Sequence, residues 1–508
     1  MTPTLQIREV GKIKEVKKSI AKIVGLTQCM IGQLLDITPN TKGIIMGFVE
    51  GEIVVFLLGR VEEARVGLAV YSSMQPFTVP VGDGFLGRIV NALAEPIDGK
   101  KQDVGGAKRV AEYAEDGNTP EPSAAQRYPV FRPAPGVLQR IPIGESLETG
   151  NLLIDAMIPI GKGQRELIVG DRMTGKTTIG VDTILNQKGK DIVCIYCCIG
   201  RSYASIQKVI ETLKLNGALD YTIVVVAHAA SSSGEQYLCP YTAATLGEYF
   251  MDRGRDVLVV FDDMTKHAWA YRQLSLLLER PPGRNAYPGD IFYIHSQLME
   301  RAGKYSPEFR GGSMTFLPIV DTIQGDVTGY IPSNLISMTD GQIYLNTALF
   351  NSGIRPAVDI GLSVSRIGNK VQCPAIRELS NTLRLEYLRY NELMKITRFK
   401  ANVSVEVSQR LRQGEVLTQL FSQEGNSPYP LAKQVVLLYA LQRKVLSALV
   451  SSEVNHFKVN IYEFIEENSP GLIEEIAKTK ELSLTVRKEL DDAFVAFFRK
   501  REKEKVWT

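Results

Sequence analysis

Residues 170–177 read GDRMTGKT, and no other stretch limits so strongly what the chain can fold into. The spacing is that of G-x-x-x-x-G-K-T, a loop whose backbone amides wrap phosphates at the N-terminus of a helix. "ELIV" before it reads as a strand and "TTIGVDTIL" after it as a helix. That order places the loop in a parallel α/β domain. Gly170 to Thr174 form the turn, and Gly175 lets the backbone approach closely. Lys176 brings a cation to the outer phosphates, and the Thr177 hydroxyl can ligate Mg²⁺. Met173 is a long apolar side chain in the middle of the loop. Cradling uses main chain, so Met173 removes side-chain contacts and leaves binding possible.

The flanking sequence supports the same domain. "RELIVG", "DIVCIYCC", "YTIVVVA" and "DVLVVFDD" are near-continuous apolar runs, as in strands buried on both faces of a parallel sheet. Amphipathic stretches such as "QYLCPYTAATLGEYFMDRG" lie between them. Residues 81–374 are therefore expected to form an α/β P-loop nucleotide-binding domain, entered through the connector "VGDGFLGRIVNALAEPIDG". Within it, residues 111–129 are acidic and Pro-bearing with few aliphatics, and predict an exposed loop. Residues 1–80 hold short Val- and Ile-rich runs separated by turns and predict a small β-barrel. From 375 to 508 the strands vanish and apolar residues recur at helical spacing, as in "AIRELSNTLRLEYLRYNELMKITRF". The basic end, "RKELDDAFVAFFRKREKEK", reads as a solvated helix. A chain of 508 residues suits three such domains at about 150 residues each.

Composition excludes several partners. The formal net charge is +3, too small to point to nucleic acid or a membrane surface. No run of about 18 apolar residues offers a membrane helix, and the N-terminus has no signal-peptide core. Glu9 and Glu15 break the acidic-poor pattern of a transit peptide. Any membrane association is expected through partners. The cysteines are Cys29, Cys194, Cys197, Cys198, Cys239 and Cys373. In "CIYCC" successive side chains alternate between sheet faces, and the four histidines are scattered, so buried reduced thiols are expected rather than a zinc site.

Asp262 ends the strand "DVLVVFDD" at the carboxyl edge of the sheet, where a magnesium ligand of a P-loop site belongs. Hydrolysis also needs a carboxylate to activate water. In P-loop ATPases of this layout it sits just past the strand beside the P-loop strand. Here "IVCIYCCIG" leads into Arg201-Ser202-Tyr203, and no acid follows until Glu211. The pattern describes a site that binds nucleotide without turning it over.

"GKGQRELIVGDRMTGKTTIGVDTILNQK", "AYRQLSLLLERPPGRNAYPGDIFYIHSQLMERAGK", "YIPSNLISMTDGQIYL" and "GIRPAVDIGLSVSRIG" closely resemble the alpha subunit family of the rotary F-type ATP synthase. The similarity runs from about residue 10 into the C-terminal helices. The catalytic beta subunit family has a loop more like GGAGVGKT and a Gly-Glu-Arg after the next strand. This chain has neither. The resemblance implies a β-barrel, a nucleotide domain and a helical domain. It implies an alternating ring of three alpha and three beta subunits around a gamma shaft, attached to a peripheral-stalk or delta subunit. The complex would lie on the inner face of an energy-transducing membrane, with no nucleic acid. Carried over by position, Gly170, Asp171, Arg172, Met173, Thr174, Gly175, Lys176, Thr177 and Thr178 would hold the phosphates of ATP or ADP. Thr177 and Asp262 would hold Mg²⁺. Arg355, Pro356, Gln423 and Gly425 would line the adenine pocket. Arg366 in "GLSVSR", with Ser363, would act in trans at the neighbouring beta site.

The chain departs from the family at several points. Met173 stands for a Gln, Gly425 for a second Gln, and Asn285 for a Glu in a loop facing the shaft. The stretch near 104–128 is longer than usual. The N-terminus lacks about one helix that reaches the stalk. Other readings are a nucleotide-free scaffold, a divergent paralogue in a related rotary ATPase, a regulatory subunit of a vacuolar-type or secretion ATPase, a self-sufficient ATPase, and an RNA translocase of the transcription-terminator kind. The GDRMTGKT and GLSVSR motifs disfavour the vacuolar-type or secretion subunit. The self-sufficient ATPase needs an acid near Arg201. The translocase needs stacking aromatics and basic residues in 1–80, where the only aromatics are Phe48, Phe56, Tyr71 and Phe77.

Overall fold

The computed structural model describes residues 8–49, 51–99, 126–397 and 405–505. Six antiparallel strands open the chain: β1 (Glu9–Lys17), β2 (Ile20–Val24), β3 (Gln33–Thr38), β4 (Thr41–Val49), β5 (Glu52–Gly59) and β6 (Ala69–Pro76). They close on themselves in the order β1-β2-β5-β4-β3-β6. Burial alternates along β3, as one wet face requires. Ile13, Ile23, Leu35, Ile45, Val55, Leu57 and Val70 fill the interior.

The central domain is built on a sheet of parallel strands. These are β7 (Ile89–Asn91), β8 (Leu167–Gly170), β9 (Ile192–Ile199), β10 (Thr222–Ala227), β11 (Asp256–Asp262), β12 (Ser313–Asp321) and β13 (Gly341–Leu345), with β14 (Val364–Ser365) antiparallel on one edge. Their spatial order is β14-β13-β8-β12-β11-β9-β10-β7, and the short Gly303–Lys304 strand pairs with β12. Every residue of β9 and β10 is buried, as their continuous apolar runs demand. Cys194 and Cys198 enter the apolar cluster on one face of the sheet and Cys197 enters the other. None of the six cysteines forms a disulfide.

The helices that matter for the site follow their strands: α1 (Lys176–Leu185) after β8, α2 (Tyr203–Leu215) after β9, α3 (Ser233–Met251) after β10 and α4 (Met264–Leu277) after β11. Three of the four starts carry a side-chain cap. Ser202 accepts from the Ser205 amide, Ser232 and Glu235 form a reciprocal cap, and Asp263 accepts from the Lys266 amide. α3 is buried almost throughout. Arg301 reaches it from outside, its guanidinium donating to both Glu248 oxygens at 2.7 and 2.8 Å and to Thr245 at 2.8 Å.

From Pro374 onward the regular elements among the described residues are all helices, and Leu379, Leu420, Val435, Leu438, Phe457 and Phe494 extend the core cluster of one sheet face. No helix among the described residues is long and apolar enough to cross a membrane.

One local expectation needs correcting. Residues 111–125 of the expected exposed loop, and 104–125 of the extension, lie outside the described residues. Arg127–Pro129 is not loop but a strand antiparallel to Thr78–Pro80, with Val79 opposite Tyr128. Val79 and Val130 are fully buried, and that burial draws the segment onto the domain.

Candidate functional site

β8 ends at Gly170, where a Cβ would meet the Leu345 carbonyl oxygen at 2.6 Å. The chain turns through Asp171–Gly175 and enters α1 at Lys176. Gly175 has φ +100° at the helix entrance, a conformation open to glycine. Met173 also lies at positive φ, +65°, and is 89% exposed. A non-glycine side chain there costs about 1 kcal/mol. Its thioether contributes to the cavity rim and to no core.

The loop opens on a cavity of about 810 Å³. Arg172, Met173, Thr174, Gly175, Lys176, Thr177 and Thr178 line one side, and Phe350, Arg355, Pro356, Gln423 and Gly425 the other. The sequence-predicted phosphate and adenine residues thus meet around one space, although more than 170 positions separate Thr178 from Arg355. A larger cavity of about 1070 Å³ lies away from the loop. Its buried Glu148 is already paired with Lys190 and Lys480.

Several residues do a different job from the one expected. The Asp171 carboxylate accepts from Thr322 and Thr347 hydroxyls and the Gly325 amide at 2.6–2.8 Å. Burial alone would push it up, and these bonds hold it below the usual carboxylate range. Asp171 therefore braces the loop from behind and does not line the cavity. Thr174, 2% exposed, spends its hydroxyl on the Asp171 carbonyl. Gln423 spends its whole amide inside the chain: it donates to Gly150 and Ser427 carbonyls and accepts from the Leu152 amide. It shapes the wall that Gly425 continues. At Gly425 a Cβ would meet Thr178 Cγ2 at 2.7 Å, so a larger residue here requires Thr178 to shift.

Ser363 requires a correction. It is fully buried, donates to the Asp359 carbonyl at 2.6 Å and accepts from the Tyr344 amide at 2.9 Å. It pins the turn before β14 and cannot touch a neighbouring chain. Arg366, just after β14, is exposed, its guanidinium 3.5 Å from the Ile336 carbonyl. It lies outside the chain's own cavity, flanked by exposed Leu362 and Val364. Asn285 is exposed with φ +54°, where asparagine is better tolerated than most residues.

The cavity floor is set by Lys176, which the sequence singled out, and by acidic groups it did not. Lys176, 5% exposed, folds onto the Gly170 carbonyl at 2.8 Å, the Asp171 carbonyl and Asp321 at 3.1 Å. Asp182 on α1 accepts from the Asn426 amide at 2.7 Å, and burial pushes it up to about 7. Burial, with Asp321 and Asp262 nearby, likewise pushes Asp263 up to about 7.

Thr177 and Asp262 are the expected magnesium holders, and they do lie together, 2.8 Å apart. A third group is already bonded to both. Arg201 Nη2 donates to Asp262 at 2.5 and 2.7 Å and also to the Thr177 hydroxyl, while Nε donates to Asp262 at 3.0 Å. Burial opposes this guanidinium's charge. The Asp262 carboxylate more than offsets that and holds it above its ordinary range. Tyr196 donates to the same carboxylate at 2.8 Å. Mg²⁺ needs oxygen donors with free lone pairs in near-octahedral array. Here the hydroxyl and the carboxylate are committed to a cation of the chain itself, so this donor set does not fit a divalent ion. No group of three or more His, Cys, Asp or Glu among the described residues forms another metal site. Sequence reasoning looked at position 201 only for a missing acid. Its place after a buried strand at the sheet's carboxyl edge was the signal that its side chain enters the site.

Comparison with known proteins gives the same outline. Residues 150–365 match the nucleotide-binding domain of the ATP synthase alpha/beta family. Residues 372–497 match the C-terminal domain of the ATP synthase alpha/beta chain. An ATP synthase subunit alpha of Clostridium acetobutylicum is 45% identical over 489 residues, which is 96% of this chain and 93% of that one.

Proposed function

The chain belongs to the ATP synthase alpha subunit family, and from that premise we propose that it is the non-catalytic nucleotide-binding subunit of the complex. It holds ATP or ADP in its own cavity and serves catalysis at the neighbour. The observation that carries this is at the end of β9. The first side chain beyond the strand that lines the cavity is that of Arg201, not a carboxylate. A guanidinium cannot take a proton from water, because it is protonated already. The nearest acid on α2, Glu211, is engaged with Gln207 one helical turn back and does not line the cavity. Asp263 lines the cavity, but one of its oxygens caps α4. The expected magnesium does not enter this reading, since Arg201 occupies its ligands.

Arg366 is the group we assign to the neighbouring site. It is exposed, unconnected with its own cavity, and set on an apolar surface suited to a chain-to-chain contact. A guanidinium supplied in trans stabilises charge on a transferring phosphoryl group. The partners that follow are beta subunits alternating with this chain around a gamma shaft, and a stalk or delta subunit. The assembly would be peripheral on the inner face of an energy-transducing membrane. Nucleotide binding and turnover by the purified chain without beta subunits test the reading. Binding that is lost in Lys176→Ala, with no turnover, is expected. Sustained turnover would refute the non-catalytic assignment, and absence of binding would leave only a scaffold.

A further inference from the structure

The Arg201 contacts go beyond blocking a metal. Asp262 is fully buried, and a buried carboxylate without a compensating cation is strongly destabilising. In a metal-dependent P-loop site the cation arrives with the nucleotide. Here it is covalently part of the chain, held by three hydrogen bonds to Asp262 and one to Thr177. Arginine stays charged across the accessible pH range, and its planar fork suits both carboxylate and phosphate oxygens. Arg201 also lines the cavity beside Lys176, where outer phosphates would lie. Arg172, Lys266 and Arg355 add three more cationic side chains to the cavity lining.

We propose that Arg201 stands in for the divalent cation, so that this site takes a nucleoside di- or triphosphate as the metal-free anion. The proposal rests on the nucleotide-binding reading above. It makes Arg201 a binding residue whose side chain bridges Thr177 and Asp262 to the phosphates. The Thr177 hydroxyl, which donates to Asp262 at 2.8 Å, serves to position the guanidinium. Removing Arg201 would take the guanidinium off both oxygen donors, leave Asp262 with the neutral Tyr196 and Thr177 hydroxyls alone, and reopen the site to a metal.

The test uses the full chain and a ribose-labelled fluorescent ATP, titrated in EDTA and in excess Mg²⁺, for the wild type and Arg201→Gln. The wild type is expected to bind no more than about threefold tighter with Mg²⁺ than in EDTA, and Arg201→Gln to bind about tenfold tighter with Mg²⁺. With Mn²⁺ in place of Mg²⁺, electron paramagnetic resonance should detect nucleotide-dependent ion binding in Arg201→Gln and none in the wild type. Wild-type binding that tightens about tenfold with Mg²⁺, or nucleotide-dependent Mn²⁺ at the wild-type site, overturns the proposal. Failure to bind in both buffers overturns the nucleotide-binding reading itself, a different result from metal-dependent binding. If Arg201→Gln does not fold, the wild-type comparison alone decides.

Discussion

Asp182 lets the electrostatics of the cavity be read by pH. Its carboxyl is 7% exposed, accepts one backbone hydrogen bond and has no ion pair among the described residues. Burial raises it from 3.8 to about 7. A carboxyl raised on folding favours the folded state in its neutral form. It therefore costs nothing below pH 4, costs more as pH rises from 4 to 7, and costs a constant amount above 7. At about 1.36 kcal/mol per pH unit, the cost is about 1.5 kcal/mol at pH 5 and about 4 kcal/mol at pH 8. Asp182→Asn keeps an oxygen for the Asn426 amide and removes the charge. The variant should gain on the wild type by about 2.5 kcal/mol between pH 5 and pH 8. Urea unfolding followed by Trp269 fluorescence, in a Trp507→Phe background, reads the central domain. A variant-minus-wild-type difference that is flat from pH 5 to pH 8 would refute this account, because it would mean that folding does not shift Asp182.

Other outcomes follow from contacts already described. Arg301→Met should destabilise the central domain by about 3 kcal/mol, because it leaves buried Glu248 with only the part-exposed Arg132, 3.8 Å away; urea unfolding measures it. Gly425→Ala should weaken nucleotide binding, since the new methyl must displace Thr178 Cγ2, 2.7 Å away; a nucleotide titration against an unchanged melting temperature separates this from misfolding. Arg366→Ala should leave the chain's own nucleotide affinity unchanged while turnover of a complex reconstituted with beta subunits falls by about 10³-fold or more. Equal turnover by that complex would remove Arg366 from the neighbouring site.

The parts of this chain that were legible in sequence are those written in backbone and periodicity. The β8–loop–α1 unit follows from glycine spacing between an apolar run and a helical pattern, and the buried strands follow from their unbroken apolar character. Side-chain direction was less legible. Asp171, Gln423 and Ser363 sit inside recognisable motifs, yet each spends its polar atoms on the chain itself. Motif membership says that a residue is near a site, not which way it points. Arg201 and Asp182 were missed for the converse reason. Each gains its meaning from a partner far along the chain, Asp262 or Asn426, and no local pattern records such a meeting. Tyr128 was read as loop because its neighbours are polar, whereas the strand it joins lies nearly 50 residues earlier.

β7 has a practical consequence for anyone dividing this chain into parts. The family nucleotide domain begins at residue 150, but β7, at Ile89–Asn91, covers the outer edge of β10 by pairing with Val224–Val226. β10 is TIVVVA, buried along its full length. A fragment cut at residue 150 would present that apolar ribbon with its amides and carbonyls free, an invitation to pair with another copy. The segment leaving the barrel therefore works as a hem on the neighbouring sheet. The smallest fragment of the nucleotide domain that stays dissolved should start before Ile89.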